Sequence, residues 1–142
     1  MIKVRGYNPI VDPDLSNVGR AVEILLASQK PIIMAGGGVI LSGAFSELQA
    51  IAEFLTAPVV TTFKGKGSFP ENHPLAMGPI GMHGHPEANR IILEASTVFL
   101  LSALGSPDRS VGRFDEFGKG MNIIHIDIDP AEIGKTSQWI SP

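Results

Sequence analysis

A parallel α/β fold is the class that this sequence predicts, and two observations indicate it. Short continuous apolar runs of strand length, such as PIIMA at residues 31–35, alternate along the chain with stretches whose apolar residues recur at helical spacing. Continuous runs are typical of strands buried on both faces, because the crossover helices of parallel strands cover both sides of the sheet. We therefore expect one domain over residues 1–142, a Rossmann-like parallel sheet with helices on both faces.

The first half of the chain supplies two helices and two strands. Residues 16–29 (SNVGRAVEILLASQ) have apolar residues at helical spacing, with Val18, Val22, Leu25 and Leu26 on one face. The first strand is predicted at 31–35, and a helix follows in 42–56 (SGAFSELQAIAEFLT), with Ser42 as its N-cap. Residues 57–63 (APVVTTF) are predicted to form the second strand.

The second half contains two long segments without periodicity. Residues 64–85 are rich in Gly and Pro and are predicted to form a functional loop, followed by a helix over 85–96. The third strand lies within 96–105, and a further loop occupies 105–120. The fourth strand is predicted at 122–128 (NIIHIDI), directly before a helix start.

Composition excludes several classes of protein. The chain is 44% hydrophobic and 18% charged, which predicts a packed core and not a disordered segment. A net charge of −3 without a basic run argues against a nucleic-acid surface, and the absence of cysteine excludes disulfides and thiolate chemistry. We find no apolar run of the ~18 residues that a membrane span needs and no signal peptide at the start, so we expect a cytoplasmic protein.

The carboxyl ends of the predicted strands are where ligands bind in such sheets. The loops after Ala35, Phe63, Leu104 and Ile128 should therefore meet at one edge. Gly36–Gly38 follow a strand and precede a helix, which would let a phosphate approach backbone N–H groups. Their spacing is not that of the dinucleotide motif, and a tight turn that needs positive φ explains them equally well.

Two carboxylates follow the last strand. Asp129, Pro130 and Glu132 are the residue types of a helix start, an N-cap, a proline at N1 and an acid at N3. Asp127 lies at the carboxyl end of the strand, where Rossmann-like folds place the acid that binds ribose hydroxyls. A second capping or solvated carboxylate is an equal alternative for Asp127, and a catalytic acid pair is disfavoured.

The histidines do not predict a metal site. His73, His83 and His85 lack cysteine partners, and two histidines separated by one residue in a loop are a weak signal. A glycine-flanked loop that brings the backbone of Met82 and His83 against a flat ligand fits better, and His125 is expected to be a satisfied core or interface residue. Because the chain has neither a nucleophile elbow nor a phosphate-binding P-loop, binding is favoured over stand-alone catalysis.

Three segments carry a resemblance to a known family. PIIMAGGGVI (31–40), APVVTTFKGKGSFPENHPLAMGPIGMHG (57–84) and IIHIDIDPAEIGK (123–135) resemble, in order and spacing, the central domain of thiamine-diphosphate-dependent enzymes, a DHS-like NAD/FAD-binding type. The resemblance runs from about Tyr7 to the end and is greatest for the catalytic subunits of acetolactate (acetohydroxyacid) synthases.

The resemblance implies a function in a longer, three-domain enzyme. That family condenses two pyruvates, or pyruvate and 2-oxobutyrate, through hydroxyethyl-thiamine diphosphate in branched-chain amino-acid biosynthesis. Thiamine diphosphate and Mg²⁺ would bind in the flanking domains of the same chain, so this segment should be inactive alone. The resemblance also implies a homodimer or tetramer with a small regulatory subunit.

The resemblance further implies a structural FAD in this domain, without net redox work. The implied contacts are Gly36, Gly37, Gly38, Thr62, Phe63, Ile80, Gly81, Met82, His83, Gly105, Ser106, Asp108, Arg109, Asp127 and Ile128. One departure stands at GSPDRSVG (105–112), where the family reads G-[AC]-R-F-x-D-R and this chain lacks the Arg-Phe pair. We therefore expect the isolated domain to fold but to bind FAD weakly or not at all.

Two alternatives remain at the level of the sequence. The chain could be the central domain of a sibling enzyme, such as a glyoxylate carboligase or an oxalyl-CoA decarboxylase-like enzyme that binds ADP there. It could also be a free-standing nucleotide-binding module of the same fold.

Overall fold

A computed structural model describes residues 15–102 and 117–133. The helices in these residues are α1 (Val18–Ala27), α2 (Gly37–Ser42), α3 (Phe45–Leu55) and α4 (Pro86–Leu93), with a 3-10 turn at Phe63–Gly65. The strands are β1 (Pro31–Ala35), β2 (Val59–Thr61), β3 (Ala76–Pro79), β4 (Thr97–Leu101) and β5 (Asn122–Ile126). In this part of the chain no helix is long and apolar enough to cross a membrane.

All five strands form one parallel sheet in the order β3-β2-β1-β4-β5. The chain moves outward from β1 through β2 to β3 and then crosses to the other side of β1 to form β4 and β5. The strand order therefore reverses between β1 and β4, and the exits of these two strands, at Gly36 and Ser102, flank the crevice where such folds bind ligands.

The core lies on both faces of the sheet. Along β1 the side chains alternate, so that Ile32 and Met34 join a cluster with Ile92 of α4. Ile33 joins the opposite cluster with Leu48 of α3. Each such buried side chain contributes about 1.5–3 kcal/mol through the hydrophobic effect. The predicted parallel sheet with helices on both faces is confirmed.

The predicted start of the second helix, with Ser42 as its N-cap, is wrong. Ser42 is not its N-cap but the last residue of α2, and its Oγ donates to the carbonyl of Val39 at 3.2 Å. Gly43, with φ +70°, ends α2 in the left-handed conformation, and Ala44 is the N-cap of α3 without a side-chain bond. Two helices therefore stand where the pattern predicted one.

The segment 64–85 contains a strand that we predicted as loop. β3 is an edge strand, and its register against β2 shifts between Val59 and Val60. Gly and Pro are tolerated in edge strands, which explains why the composition of AMGP predicted a loop.

Two predicted strands are shorter in the structure because local hydrogen bonds compete with the ladder. β2 ends at Thr61, since the Oγ1 of Thr62 accepts from Gly65 N. β5 ends at Ile126, since the carboxylate of Asp127 accepts from a backbone amide two residues on.

The apolar face of α1 is mostly not part of the core. Leu25 is buried, whereas Val18, Val22 and Leu26 are each about half exposed or more. A stripe of this kind is typical of a helix that packs against another domain or protein.

Candidate functional site

The crevice between β1 and β4 begins with three glycines. Gly36 directly follows β1, is the N-cap of α2, and donates its N–H to the carbonyl of Leu101 at 2.9 Å. Gly37 and Gly38 form the first turn of α2, where amide groups have no intrahelical carbonyl partner. This part of the edge therefore offers backbone donors and the positive end of a short helix dipole.

Close packing explains why two of these positions are glycine. A Cβ at Gly38 would lie 2.0 Å from the Cβ of Ser102, and one at Gly37 would lie 3.2 Å from the Cβ of Lys64. Neither residue has a positive φ, so the alternative of a tight turn that needs positive φ is wrong for them. The glycines let the first turn of α2 lie against the residues that follow β2 and β4, and phosphate contact stays a prediction.

Ser102 is a site neighbour that the sequence did not indicate. It follows β4 with φ +44°, a left-handed conformation that is uncommon for a non-glycine residue. Its N–H donates to the carbonyl of Ile126 at 2.8 Å, which joins the exits of β4 and β5. Sequence reasoning gave no signal here because neither the φ value nor the contact with Gly38 is encoded by a local motif.

The exit of β2 is bonded to the exit of β1. The N–H of Thr62 donates to the carbonyl of Ala35 at 2.9 Å, and its Oγ1 accepts from Gly65 N at 3.1 Å. This turn leaves the ring of Phe63 86% exposed at the sheet edge. Lys64 is also exposed beside α2.

The exit of β3 is held by a side chain that the sequence analysis missed. Ile80 N donates to the carbonyl of Thr61 at 2.9 Å. Asn89 of α4 then accepts from Gly81 N at 2.8 Å and donates to the carbonyl of Gly81 at 2.9 Å. Met82 is 86% exposed directly beyond this anchor. Asparagine is a poor helix former, so its presence inside a predicted helix was the one sequence signal that Asn89 has a role outside the helix.

Replacing Asn89 with alanine is expected to loosen the loop after β3. The change leaves both backbone groups of Gly81 without their partner, which should lower the free energy of unfolding by about 1–3 kcal/mol. Hydrogen exchange at the Gly81 amide measures the effect directly, and exchange should accelerate there while the β1 amides change only with global stability. A Gly81 amide as protected as in the parent chain would contradict the anchoring role.

The histidines of this region are held by packing and local bonds. The Nδ1 of His73 accepts from Leu75 N at 3.2 Å, so its Nε2 carries the proton and faces Glu53 Oε1 at 3.2 Å. Hydrogen bonds from Gln49 and then His73 hold the pKa of Glu53 below its usual range. The ring of His85 lies against Gly78, where an added Cβ would be 2.7 Å from Nδ1. Among the described residues, no three His, Asp or Glu side chains are arranged to hold a metal ion.

The two carboxylates after β5 both cap a turn. Asp127 Oδ1 accepts from Asp129 N at 3.0 Å, and Asp129 Oδ1 accepts from Ala131 N at 2.9 Å. Asp129 was predicted to cap a helix start, and its side chain does cap, but the described residues that it caps, 130–133, form a turn. The capping alternative for Asp127 is present as well. Ribose contact by Asp127 stays a prediction, as does contact by Ile128, which is half exposed.

The side chain of His125 is largely covered, as predicted, but among the described residues its Nε2 lacks the hydrogen-bond partner that a satisfied residue would have. Its side chain is 12% exposed, and its Nε2 has no hydrogen-bond partner within residues 15–102 and 117–133. Asp127 Oδ2 lies 3.7 Å from this nitrogen, too far for a hydrogen bond. Burial lowers the pKa of His125 below its usual value, although the carboxylates of Asp127 and Glu132 act in the opposite direction.

Acidification is expected to destabilise the domain through His125. In the unfolded chain this histidine binds a proton near its ordinary pKa of about 6.5, and in the folded chain only at lower pH. The free energy of unfolding should therefore fall as the pH drops from about 6.5 towards the folded pKa. Urea unfolding across this range measures the slope, which should be smaller in His125→Gln because glutamine does not titrate. Equal slopes in the two proteins would contradict the assignment.

The described candidate residues come together as the topology requires. Backbone bonds link the exits of β1 and β2, of β2 and β3, of β1 and β4, and of β4 and β5, so Gly36–Gly38, Thr62, Phe63, Ile80–His83, Asp127 and Ile128 share one edge. Gly105, Ser106, Asp108 and Arg109 lie outside the described residues.

The five-stranded parallel sheet, with its reversal of strand order and glycine-lined exit, defines a Rossmann-like α/β domain. The family model of the thiamine pyrophosphate enzyme central domain matches residues 18–140, and the chain belongs to this family. The resemblance predicted from the three sequence segments is thus confirmed.

Curated relatives point to one enzyme within that family. The chain is 46% identical over 134 residues to a probable acetolactate synthase large subunit of Methanococcus aeolicus, which covers 94% of this chain and 22% of the relative. It is 45% identical over 131 residues to the acetolactate synthase large subunit of Cyanidium caldarium, and the match covers 91% of this chain and 22% of that subunit. It is 44% identical over 139 residues to the acetolactate synthase large subunit of Corynebacterium glutamicum, and the match covers 96% of this chain and 22% of that subunit. The chain thus spans about a fifth of the length of these relatives.

Proposed function

We propose that this chain serves as the central domain of an acetolactate synthase large subunit and holds FAD at the carboxyl edge of its sheet. The observation that carries the proposal is the 44–46% identity to such subunits over more than nine-tenths of this chain. The whole protein would condense two pyruvates, or pyruvate and 2-oxobutyrate. Thiamine diphosphate and Mg²⁺ would bind in the flanking domains.

The residues at the edge fit a flavin nucleotide. The amides of Gly37 and Gly38 are donors at a helix start, as a diphosphate requires. Phe63 and Met82 leave neighbouring strands and expose apolar side chains that would cover the faces of flat rings. Asp127 would accept from ribose hydroxyls. When bound, FAD would supply a rigid structural element and no net redox chemistry.

The domain's own residues would bind and position, and the carboligation would be done elsewhere. The carboxylates of Asp127 and Asp129 are engaged with backbone amides, and His73 is engaged with Glu53 and Leu75. None of these groups therefore has the arrangement of a general base beside a nucleophile. The contribution to catalysis would lie in holding the flanking domains at a fixed geometry.

Exposed apolar side chains support a place inside a larger protein. Val18, Val22 and Leu26 form an exposed apolar stripe on α1, and Leu26 also lines a shallow groove together with Phe54 of α3. We propose that flanking domains of the same chain cover this surface. A homodimer or tetramer, a small regulatory subunit and a cytoplasmic location follow from the same proposal.

A chimera tests the proposed enzyme. The aligned segment of the Corynebacterium glutamicum large subunit is replaced by the corresponding residues of this chain, and acetolactate formation from pyruvate is measured. The proposal predicts that the chimera forms acetolactate, with the unmodified subunit as the positive control. A folded chimera that forms none would contradict the proposal and favour a sibling carboligase or a free-standing module.

A further inference from the structure

The last strand carries a buried pair whose geometry is incomplete. His125 and Asp127 are two residues apart on β5 and its exit, so their side chains are on the same face of the sheet. Both are nearly covered, with side-chain exposures of 12% and 8%, and His125 Nε2 faces Asp127 Oδ2 at 3.7 Å. Within the described part of the chain this nitrogen has no other partner.

A buried ring nitrogen without a partner is costly, and one nearby acceptor can remove that cost. A buried donor left unpaired loses its hydrogen bonds to water without replacement, whereas a hydrogen bond to a carboxylate is stronger than one between neutral groups. Moving His125 Nε2 and Asp127 Oδ2 closer by less than about 1 Å would bring these two atoms within hydrogen-bond distance. Glu132 is a further acid that acts on His125 electrostatically, and Asp127 Oδ2 lies 3.7 Å from Nε2.

The same movement would fix both oxygens of Asp127. Oδ1 already accepts a hydrogen bond from Asp129 N at 3.0 Å, and Oδ2 would accept one from the Nε2–H of His125. A carboxylate held at both oxygens keeps one rotamer, and its remaining lone pairs then point in fixed directions. Such preorganisation is what an acceptor for two adjacent hydroxyl groups needs.

We propose that His125 is a positioning residue of the nucleotide site, which donates its Nε2–H to Asp127 and thereby fixes the carboxylate for ribose hydroxyls. The ligand part of this inference rests on the proposed FAD function. The bond between the two side chains does not depend on it.

The first test uses the chain without ligand. Nitrogen-15 chemical shifts of the imidazole ring report which nitrogen carries the proton, and we expect Nε2–H at neutral pH. In Asp127→Asn, Nε2 should lose its anionic partner, and both the ring shifts and the titration of His125 should change. A ring protonated at Nδ1 in the parent chain, with shifts that Asp127→Asn leaves unchanged, would overturn the inference.

The second test uses FAD titration of the chimera described above and of two of its variants, whose thermal melts must match that of the unchanged chimera. Glutamine can place an amide N–H near the position of Nε2, so His125→Gln should keep FAD affinity within about twofold, whereas His125→Leu should weaken it about tenfold. Equal affinity in the leucine variant would overturn the positioning role. If the isolated chain shows the predicted ring state but the chimera binds no FAD even at high concentration, the His125–Asp127 bond is supported and the proposed FAD function fails.

Discussion

Gly65→Ala is expected to destabilise the domain strongly, because the added side chain would overlap backbone atoms at the exit of β1. An added Cβ would lie 2.1 Å from the carbonyl oxygen of Ala35 and 3.0 Å from the Cα of Gly36. Both neighbours are backbone atoms at the exit of β1, so no side chain can rotate away. The exits of β1 and β2 would have to separate, which breaks the bond from Thr62 N to Ala35.

The cost of Gly65→Ala should reach about 3 kcal/mol, the upper end of the range for overpacked sites. Thermal unfolding measures it, and the melting temperature should fall by roughly 10 °C in a domain of this size. Gly19→Ala is the matched control, because nothing lies within 4 Å of an added Cβ on α1. That variant should be neutral or gain up to about 1 kcal/mol. Equal melting temperatures for the two variants would contradict the packing described for the edge.

Ile33→Ala is expected to have a comparable effect through the core. Ile33 lies on the central strand β1, is 0% exposed, and belongs to the cluster formed with α3. Removing three carbon atoms there leaves a cavity between the sheet and the helix layer, which should cost about 2–5 kcal/mol. A total stability of about 5–15 kcal/mol would be reduced by a large fraction.

Urea unfolding of Ile33→Ala gives the change in free energy, and Leu41→Ala is the control. Leu41 is an equally large apolar residue but is 91% exposed, so its truncation should change the stability of this chain by about 0.5 kcal/mol or less. If the Ile33 variant unfolded at the same urea concentration as the control, the placement of β1 in the centre of the sheet would be wrong.

Periodicity of the apolar residues predicted the elements whose burial shows within a short stretch of sequence, such as β1 and α3. The apolar run at Pro31–Ala35 and the stripe of α3 were recognisable because burial imposes a period on the sequence itself. β3 was missed because its pairing with β2 across a Gly- and Pro-rich segment is set by a distant partner. The stripe of α1 shows a related limit, since periodicity gives the direction of an apolar helix face but not what covers it.

The candidate site likewise has features that the sequence predicted and features that it could not predict. Topology alone predicted that Gly36–Gly38, Phe63 and Asp127 would share an edge, because all strands are parallel. The anchor from Asn89 to Gly81 and the contact of Gly38 with Ser102 could not be predicted, since each depends on packing between distant elements. The facing of His125 and Asp127 could have been predicted, because residues two apart on a strand are on one side.

Flavin binding by the chimera, compared with the isolated chain, tests the central claim most directly. FAD is titrated into both proteins, with flavin fluorescence as the readout and Asp127→Ala in each as the control. We predict saturable binding by the chimera, weaker binding by the isolated chain, which is tested without the flanking domains, and a loss of affinity in both Asp127 variants. A folded chimera that forms acetolactate but binds no FAD would contradict the claim that the carboxyl edge of this sheet is a flavin site.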